Sequence, residues 1–589
     1  MQNPTEFYKQ QKTKLEVKST NLRKKLINLG IIRFAVFLVI IISVYLTFSD
    51  IPLALTLGFL GFSLFTFLVV KFISIKREKA IIDLKIQINS LEIEVLQGNF
   101  HDLETGKEFV DTAHFYSNDI DLFGKGSFFQ YTNRTATLEG KKTLANILTS
   151  NNIEAIQAKQ EAIEELSNKV SWRQHFSALA SLVTVKDTSN TILSWIVNYK
   201  SVFSKYLAKI QVVFSIISVL LIGLISFGTL SFSFLTVWFF TGLFITSRYL
   251  KKTNNLYAEA GKAKETFKQY HQLLNEIEKE QFVAENLIAK QTVIQSENKK
   301  ASTIFKEFSK ILDAFDNRNN IVIAVIGNGL FLWDILNACK VEKWISSYKH
   351  TVENWFQVVA YFDAQNSLAN FKFNHPAFVF PEILVDKEII KSTNLGHPLL
   401  KAHKRVDNDF IINDAQFYII TGANMAGKST FLRTVSLAIV MANCGLPVCA
   451  ESFKYHPIKL ITSMRTSDSL TEDESYFYSE LKRLKFIVDQ IQKEKYFIIL
   501  DEILKGTNSK DKATGSKKFV EKLSKSKSTG IIATHDVSLC ALENEFTAIK
   551  NYYFDAEISN NELHFDYTLK NGVCKNMNAS FLLEKMDIV

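Results

Sequence analysis

The sequence predicts an α/β domain at the carboxyl-terminal end, preceded by a mostly helical region into which two transmembrane helical hairpins are set. Three observations predict it. Two long apolar blocks lie in the amino-terminal half, and helix-favouring charged stretches surround them. From about residue 380 short apolar strands alternate with helices, and one of these strands runs straight into a glycine-rich loop.

The first block starts after a basic lead. From Met1 to Arg33 there are eight basic residues (Lys9, Lys12, Lys14, Lys18, Arg23, Lys24, Lys25, Arg33) against two acids, Glu6 and Glu16, which is +6 of the net charge of +9. Basic residues directly ahead of an apolar run mark the cytoplasmic end of a membrane helix, so the net charge is weak evidence for nucleic acid. Leu26 to Phe48 is apolar apart from Asn28 and Arg33, and after Ser49 and Asp50 a second run extends from Ile51 to Val70, closed by Lys71, Lys76 and Arg77. About twenty helical residues cross a hydrocarbon core, so the pair is expected to form a hairpin. A cleavable signal peptide is the rival, opposed by the second span and by the lack of a small-residue cleavage site.

The second block, Ile210 to Ser247, has no charged residue, with Gly228 and Thr229 near its middle. It reads as two short spans joined by a tight turn; a pair of buried core helices is the alternative. Lys205 and Lys209 precede it and Arg248, Lys251 and Lys252 follow, which places the large segments in the cytoplasm. The expected location is therefore the plasma (inner) membrane, multi-pass, with the α/β domain in the cytoplasm and the lipid bilayer as a partner.

Elsewhere the pattern is helical. Ile81, Leu84, Ile88, Leu91 and Val95 follow three- and four-residue steps, a modest coiled-coil seam. Asn254 to Ser309 is a long charged stretch without Pro. Such helices could serve as levers, as oligomer contacts or as solvated bundle helices. The chain divides into a basic terminus (1–25), a first hairpin (26–73), a helical segment (74–205), a second hairpin (206–250), a helical core or lever region (251–385) and the α/β domain (386–589). Gly and Pro are few, so disorder is a poor description of most of the chain. The five cysteines are scattered without a CxxC pair, which points to a reducing compartment and to neither a zinc site nor a disulfide framework.

Gln416 to Ile420 is a short strand leading into Gly422, Ala423, Asn424, Met425, Ala426, Gly427, Lys428, Ser429 and Thr430, a full G-x-x-x-x-G-K-[ST] pattern between strand and helix. Backbone N–H groups of such a loop favour an anion, Lys428 would reach the β- and γ-phosphates, and the Ser429 hydroxyl would bind Mg²⁺. Tyr496 to Leu500 is an apolar run ending in Asp501 and Glu502. Asp501 would hold Mg²⁺, and Glu502 would orient or deprotonate an attacking water. A third strand, Gly530 to Ala533, ends in Thr534, His535 and Asp536, where His535 could sense the γ-phosphate or the water. The expected chemistry is ATP binding and hydrolysis by a P-loop NTPase.

These motifs resemble the MutS family of mismatch-repair ATPases. The likeness is carried by TGANMAGKSTFLRTVSLAIVMANCGLPVCA, TSDSLTEDESYFYSEL, LDEILKGTN and ATHD, with LGHPLL at Leu395 to Leu400 as the lead-in and FDYTLKNGVCKNMNA as the closing hairpin. It covers about residues 390–589. Upstream, DLFGKGSFFQYTNRTATLEGKKTLANIL from Asp121 resembles the family's core entry, with its N-R-T-x-T-x-x-G phrase. The resemblance implies a composite site in a homodimer, in which Asp468 to Glu480 supplies the trans-acting signature and Ser475 contacts the γ-phosphate of the partner's nucleotide. An ordinary helix-start role is the alternative for Ser475. Asp473 stands where the family has Gly, flanked by Glu472 and Glu474, so hydrolysis could be slow or differently gated. The family stacks an aromatic ring on adenine just before an Asn, here Asn408, but Lys404, Arg405 and Val406 precede it. For the family's mismatch-reading Phe-x-Glu phrase, the nearest string ahead of the membrane spans is Phe7-Tyr8-Lys9, with Lys in the Glu position, so direct mismatch recognition is not expected.

Three functions compete at this stage. One is a membrane-anchored MutS-like ATPase that moves helical levers. Another is a membrane-tethered DNA-binding repair or recombination factor of the mismatch-repair type. The third is a transporter, since the motifs parallel ABC ATPases; four spans without intramembrane acids argue against a substrate pathway.

Overall fold

The computed structural model describes residues 3–183, 189–295, 299–384, 388–465, 476–504, 509–559 and 562–575. The first hairpin is two long helices, Pro4–Leu46 and Ile51–Leu96. Asn3 caps the first by accepting from the Thr5 amide, and Asp50 caps the second by accepting from Leu53. Pro4 and Pro52 sit in the first turns, where a missing N–H costs nothing. At 43 residues the first helix is about 65 Å long, twice a hydrocarbon core, so half of the hairpin forms a stalk.

The stalk half is held by Lys18–Glu78 at 2.9 Å and by Ser19 donating to Asp83 at 2.6 Å. The seam running from Ile81 to Val95 therefore has partners in its own chain: Ile82 and Val95 are buried, and the helix packs on Pro4–Leu46 and on Val170–Ser181. The far half is bare, with Phe34, Phe37, Phe59 and Phe67 all exposed. Arg33, a charge within the first apolar run, lies over the Phe72 ring at 4.3 Å.

The second block forms Lys205–Ser226 and Phe232–Lys279, joined by a turn in which Gly228 has φ +72°. Among the described residues, three helices are long and apolar enough to cross a membrane: Pro4–Leu46, Ile51–Leu96 and Tyr206–Ser226. The expected fourth span differs. Only Phe232 to Ser247 precedes Arg248, and the helix then continues unbroken to Lys279 within the protein core.

The stretch from Asn254 to Ser309 is three helices, ending at Lys279 and resuming as Glu285–Gln295 and Ala301–Asp316. Tertiary contacts set the first break: the Glu165 carboxylate accepts from the amides of Val283 and Ala284, and Phe282 is buried. These helices pack with Trp333–Tyr348 and Val352–Asn374 around an aromatic core, where Phe308 stacks on Trp344 at 4.0 Å and Tyr270 on Phe356 at 4.3 Å. The N-R-T-x-T-x-x-G phrase docks on that bundle. Buried Asp363 accepts from the amides of Ala136 and Thr137 and from the Thr137 hydroxyl, and burial pushes its carboxyl up to about 6. Gly140 is required because a Cβ there would meet the Asp363 carboxylate at 2.1 Å.

The carboxyl-terminal domain holds a six-stranded sheet in the order Leu569–Asn571, Ile549–Phe554, Phe417–Gly422, Thr529–Ala533, Tyr496–Asp501, Lys459–Ser463. All neighbours are parallel except the first pair. A four-stranded sheet, Glu382–Ile383, Ser452–Tyr455, Glu388–Leu395, Asn408–Asn413, lies in the same hydrophobic core. The helix Lys428–Asn443 packs on the larger sheet, burying Leu432, Val435 and Ile439.

Candidate active site

Strand register assembles the site. Ile420 and Asp501 both pair with Ala533, so three strands end at one level, and the residues that follow them are neighbours. Phe417–Gly422 leads into the loop that ends at Gly427, from which Lys428–Asn443 starts. Gly422 has φ +150° and a Cβ there would lie 2.6 Å from the Phe554 carbonyl; Gly427 has φ +101°. Met425 also has positive φ and is exposed, while Ala423 and Ala426 are buried beneath the loop.

Lys428 is 6% exposed, and its ammonium donates to the carbonyls of Gly422 at 2.8 Å and Ala423 at 2.9 Å. Burial pulls its pKa down, opposed by Asp501 and Glu502. The Ser429 hydroxyl donates to the Asp501 carboxylate at 2.7 Å. His535 Nε2 lies 3.2 Å from the Glu502 carboxylate and 3.3 Å from the Lys428 ammonium. Burial and then the Lys428 charge lower the His535 pKa, so the imidazole is neutral at pH 7. A neutral ring has one proton to place: on Nε2 it points at Glu502, on Nδ1 it leaves Nε2 to accept from Lys428. Glu502 sits at φ +54°, its amide donating to Ala533 at 2.9 Å, so the strand end fixes an unusual backbone where the carboxylate must be aimed.

These groups line a cavity of about 720 Å³. Thr430 and Asn424 also border it, with the apolar side chains of Leu395, Leu400, Val406, Phe431, Phe554 and Tyr567 and the cations Lys404 and Arg405. Cationic and apolar groups around one cavity suit a nucleoside polyphosphate. For Mg²⁺, the Ser429 hydroxyl and Asp501 carboxylate are hard oxygen donors already in contact. No cluster of three or more His, Cys, Asp or Glu side chains able to hold a metal occurs among the described residues. Two protein oxygens fit an ion that keeps waters and takes its remaining ligands from phosphates.

The structure thus brings together Lys428, Ser429, Asp501, Glu502 and His535. Ser475, Asp473 and their acidic neighbours lie outside the described residues. The helix after them, Tyr476–Ile491, places Glu480 against the site's edge, where its carboxylate accepts from the Leu504 amide at 2.6 Å. Arg405 lines the cavity but pairs with Asp407 at 2.6 Å and 3.1 Å. Asn408 lines the cavity and holds the closing segment, donating to the Tyr567 carbonyl and accepting from the Leu569 amide.

Sequence reasoning missed Tyr567 and His397. Tyr567 lies inside the quoted closing hairpin, but only the fold sets its ring against the loop, where a Cβ on Gly427 would be 3.0 Å away. His397, in LGHPLL, is held down to about 4 by burial, Arg433 and Arg405.

Residues 418–583 match the family described as MutS domain V. Among curated relatives, the chain is 34% identical to the DNA mismatch repair protein MutS of Persephonella marina over 181 residues, 30% of this chain and 21% of that one. It is 30% identical to the MutS protein homolog 4 of Homo sapiens over 193 residues, 31% of this chain and 20% of that one. It is 28% identical to the DNA mismatch repair protein MutS of Methanococcoides burtonii over 294 residues, 48% of this chain and 31% of that one. The matches thus span between 20% and 31% of the length of these relatives. With the P-loop, acidic strand end and histidine joined as described, the carboxyl-terminal part of the chain is a P-loop ATPase domain of the MutS domain V kind.

Proposed function

We propose that this protein is a membrane-anchored, MutS-like ATPase that binds and hydrolyses ATP in a composite dimeric site and couples the cycle to movement of its helical levers. The observation that carries the chemistry is the convergence of Lys428, Ser429, Asp501, Glu502 and His535 at the carboxyl edge of one sheet. Lys428 supports the β- and γ-phosphates, with the amides of Gly422 to Thr430 cradling them. Ser429 and Asp501 would hold Mg²⁺, and the ion would supply positive charge to offset that on the phosphate oxygens. Glu502 orients the attacking water and takes its proton, while neutral His535 positions Glu502 or the water through Nε2. Ser475 of a second copy completes the site at the γ-phosphate, so the working unit is a homodimer.

Anchoring is supported by the bare apolar halves of the hairpins and by their basic flanks. The location we propose is the plasma (inner) membrane with the ATPase domain in the cytoplasm. The stalk of the first hairpin would then link the ATP cycle to the bilayer.

The experiment is turnover by the full chain in detergent. Glu502→Gln is expected to bind ATP as the unsubstituted protein does and to lose about 10²-fold or more of its hydrolysis. Undiminished turnover would remove Glu502 from the role assigned. Ser475→Ala adds the dimer test: hydrolysis per site that ignores both this residue and dilution to monomers contradicts the composite site.

A second reading is favoured by the similarity to DNA mismatch repair proteins named MutS. On that reading the chain is a membrane-tethered DNA-binding factor of the repair or recombination type. It requires several phosphate contacts, so duplex DNA binding by the solubilised protein must weaken steeply with salt. Absence of binding at low salt removes it.

A further inference from the structure

Ile321 to Phe331 is a run of eleven residues without a charge, and Asn328 is its one polar side chain apart from glycines. It folds as a π-type turn, Ile323–Gly327, continued by Asn328–Phe331, and meets the next helix, Trp333–Tyr348, at 79°. Leu332, with φ +50°, makes the corner. One face of the run is bare: Ile321 is 77% exposed, Val322 57%, Ile326 49% and Val325 42%. Four neighbouring β-branched side chains left open to water would be an unusual surface for a soluble helix tip.

The other face docks on the second hairpin. A Cβ on Gly242 would lie 2.2 Å from the Gly329 carbonyl, and the Phe239 ring covers Gly329, so the backbones approach as small residues allow between membrane helices. The break at Leu332 leaves the carbonyls of Leu330 and Phe331 without helical partners. The hairpin supplies them: Ser218 donates to Leu330 at 2.5 Å, and Gln211 donates to Phe331 at 3.2 Å. Trp238 in turn donates to Ser218 at 2.9 Å. Those are polar side chains of a helix whose outer residues are Val212, Val213, Ile216, Val219 and Leu220, all exposed. Broken helices are tolerated at membrane depth where neighbouring side chains satisfy the freed backbone groups.

The bent pair is not one span. Ile335, Ala338, Val341 and Ile345 are buried in the aromatic core, and Asp334 pairs with Arg318 at 2.8 Å. Eleven residues of helix reach about 17 Å, half of a hydrocarbon core. We infer that residues 321–331 form a re-entrant wedge that inserts into the cytoplasmic leaflet of a lipid bilayer beside the second hairpin and returns to the same side. Continuity carries the choice of lipid as occupant: the run packs against a hairpin helix through Phe239 and Gly242, and the outward side chains of that same stretch of helix, Val237, Phe240 and Phe244, are 69%, 62% and 69% exposed. The wedge gives Ala301–Asp316 and Trp333–Tyr348, helices of the lever region, a foothold in the membrane that is separate from the spans.

This inference rests on the membrane anchoring proposed above, and the test separates the two. The full chain, reconstituted in phosphatidylcholine vesicles, is labelled with an environment-sensitive bimane at Val325→Cys, with Ile321→Cys as a second site. Phe240→Cys reports on the hairpin and Lys310→Cys on the aqueous side, and label on the unsubstituted protein gives the background of the native cysteines. Spin-labelled lipids, with the label near the headgroup or near the chain end, and aqueous iodide are the quenchers. The expected result is loss of fluorescence at 325 and 321 to the lipid quenchers, more to the shallow label, with iodide quenching only 310. Iodide quenching at 325 and 321 with lipid quenching at 240 would overturn the wedge and leave the anchor standing. Iodide quenching at 240 as well would overturn both. Deepest quenching at 325, equal to that at a mid-span position, would replace the wedge by a crossing segment.

Discussion

In the carboxyl-terminal sheet, Phe417–Gly422 and Thr529–Ala533 are buried at every position, whereas in the 43 residues of Pro4–Leu46 only Tyr8 and Leu22 are. Both segments are rich in apolar side chains, so hydrophobicity alone did not decide burial. The sheet hides its strands between helices and a second sheet. The hairpin leaves Phe34, Val39, Phe59, Phe62 and Phe67 facing outward. Each such side chain left in water forgoes about 1.5–3 kcal/mol, which supports the membrane anchoring proposed above for the far half of the hairpin. The near half buries both kinds of group, Leu22, Ile82 and Val95 beside Tyr8, Asn89 and Glu92. The Tyr8 hydroxyl donates to Asn374 at 2.8 Å, Asn374 donates to Glu92 at 2.8 Å, and Arg134 donates to Glu92 at 2.5 Å. One network thus ties both helices of the hairpin to the bundle that carries the ATPase domain.

Breaking that junction should have the largest effect. Glu92 is 2% exposed, and Glu92→Ala would strand the Arg134 guanidinium and the Asn374 amide in a buried site. A loss of about 3–5 kcal/mol is expected, because an uncompensated buried charge remains. Limited proteolysis should then cut the stalk earlier, while ATP binding at the P-loop persists. Glu92→Gln, which keeps an acceptor for Asn374, should lie between. If nucleotide binding falls in step with stalk cleavage, the two regions are one cooperative unit and the contrast drawn here is superficial.

How much of this was legible beforehand follows the same divide. The nucleotide site could be read because its chemistry is local: a loop motif and two strand ends whose buried apolar runs announce parallel strands. The hairpins could be read because apolar length is a one-dimensional property. Contacts between distant segments could not. The break after Lys279 depends on Glu165, more than a hundred residues earlier, and no Gly or Pro announces it. The run 321–331 is too short to register as a span, and its interest appears only when Gly242 and Ser218 are seen against its backbone. Asn408 was noticed as the marker of a base-stacking position. Its actual work, holding the closing segment, needed Tyr567 and Leu569 in place.

The smallest effect is expected at Tyr567, and it tests whether the buried sheet domain finishes its own pocket. Arg405, another planar group lining the cavity, is committed to Asp407 and has little freedom to cover a base. Tyr567 has φ +54°, Asn408 holds the segment just after it through the Tyr567 carbonyl and the Leu569 amide, and its ring faces the loop at Gly427. An aromatic plane fixed in that way can stack on a flat base with little loss of freedom. Tyr567→Ala is therefore expected to weaken ATP binding about tenfold, or ~1.4 kcal/mol, with Tyr567→Phe close to the unsubstituted protein. Titration with a fluorescent ATP analogue reads this directly. If Arg405→Ala costs more than Tyr567→Ala, the base lies on the strand side of the cavity, and the closing segment serves the sheet rather than the nucleotide.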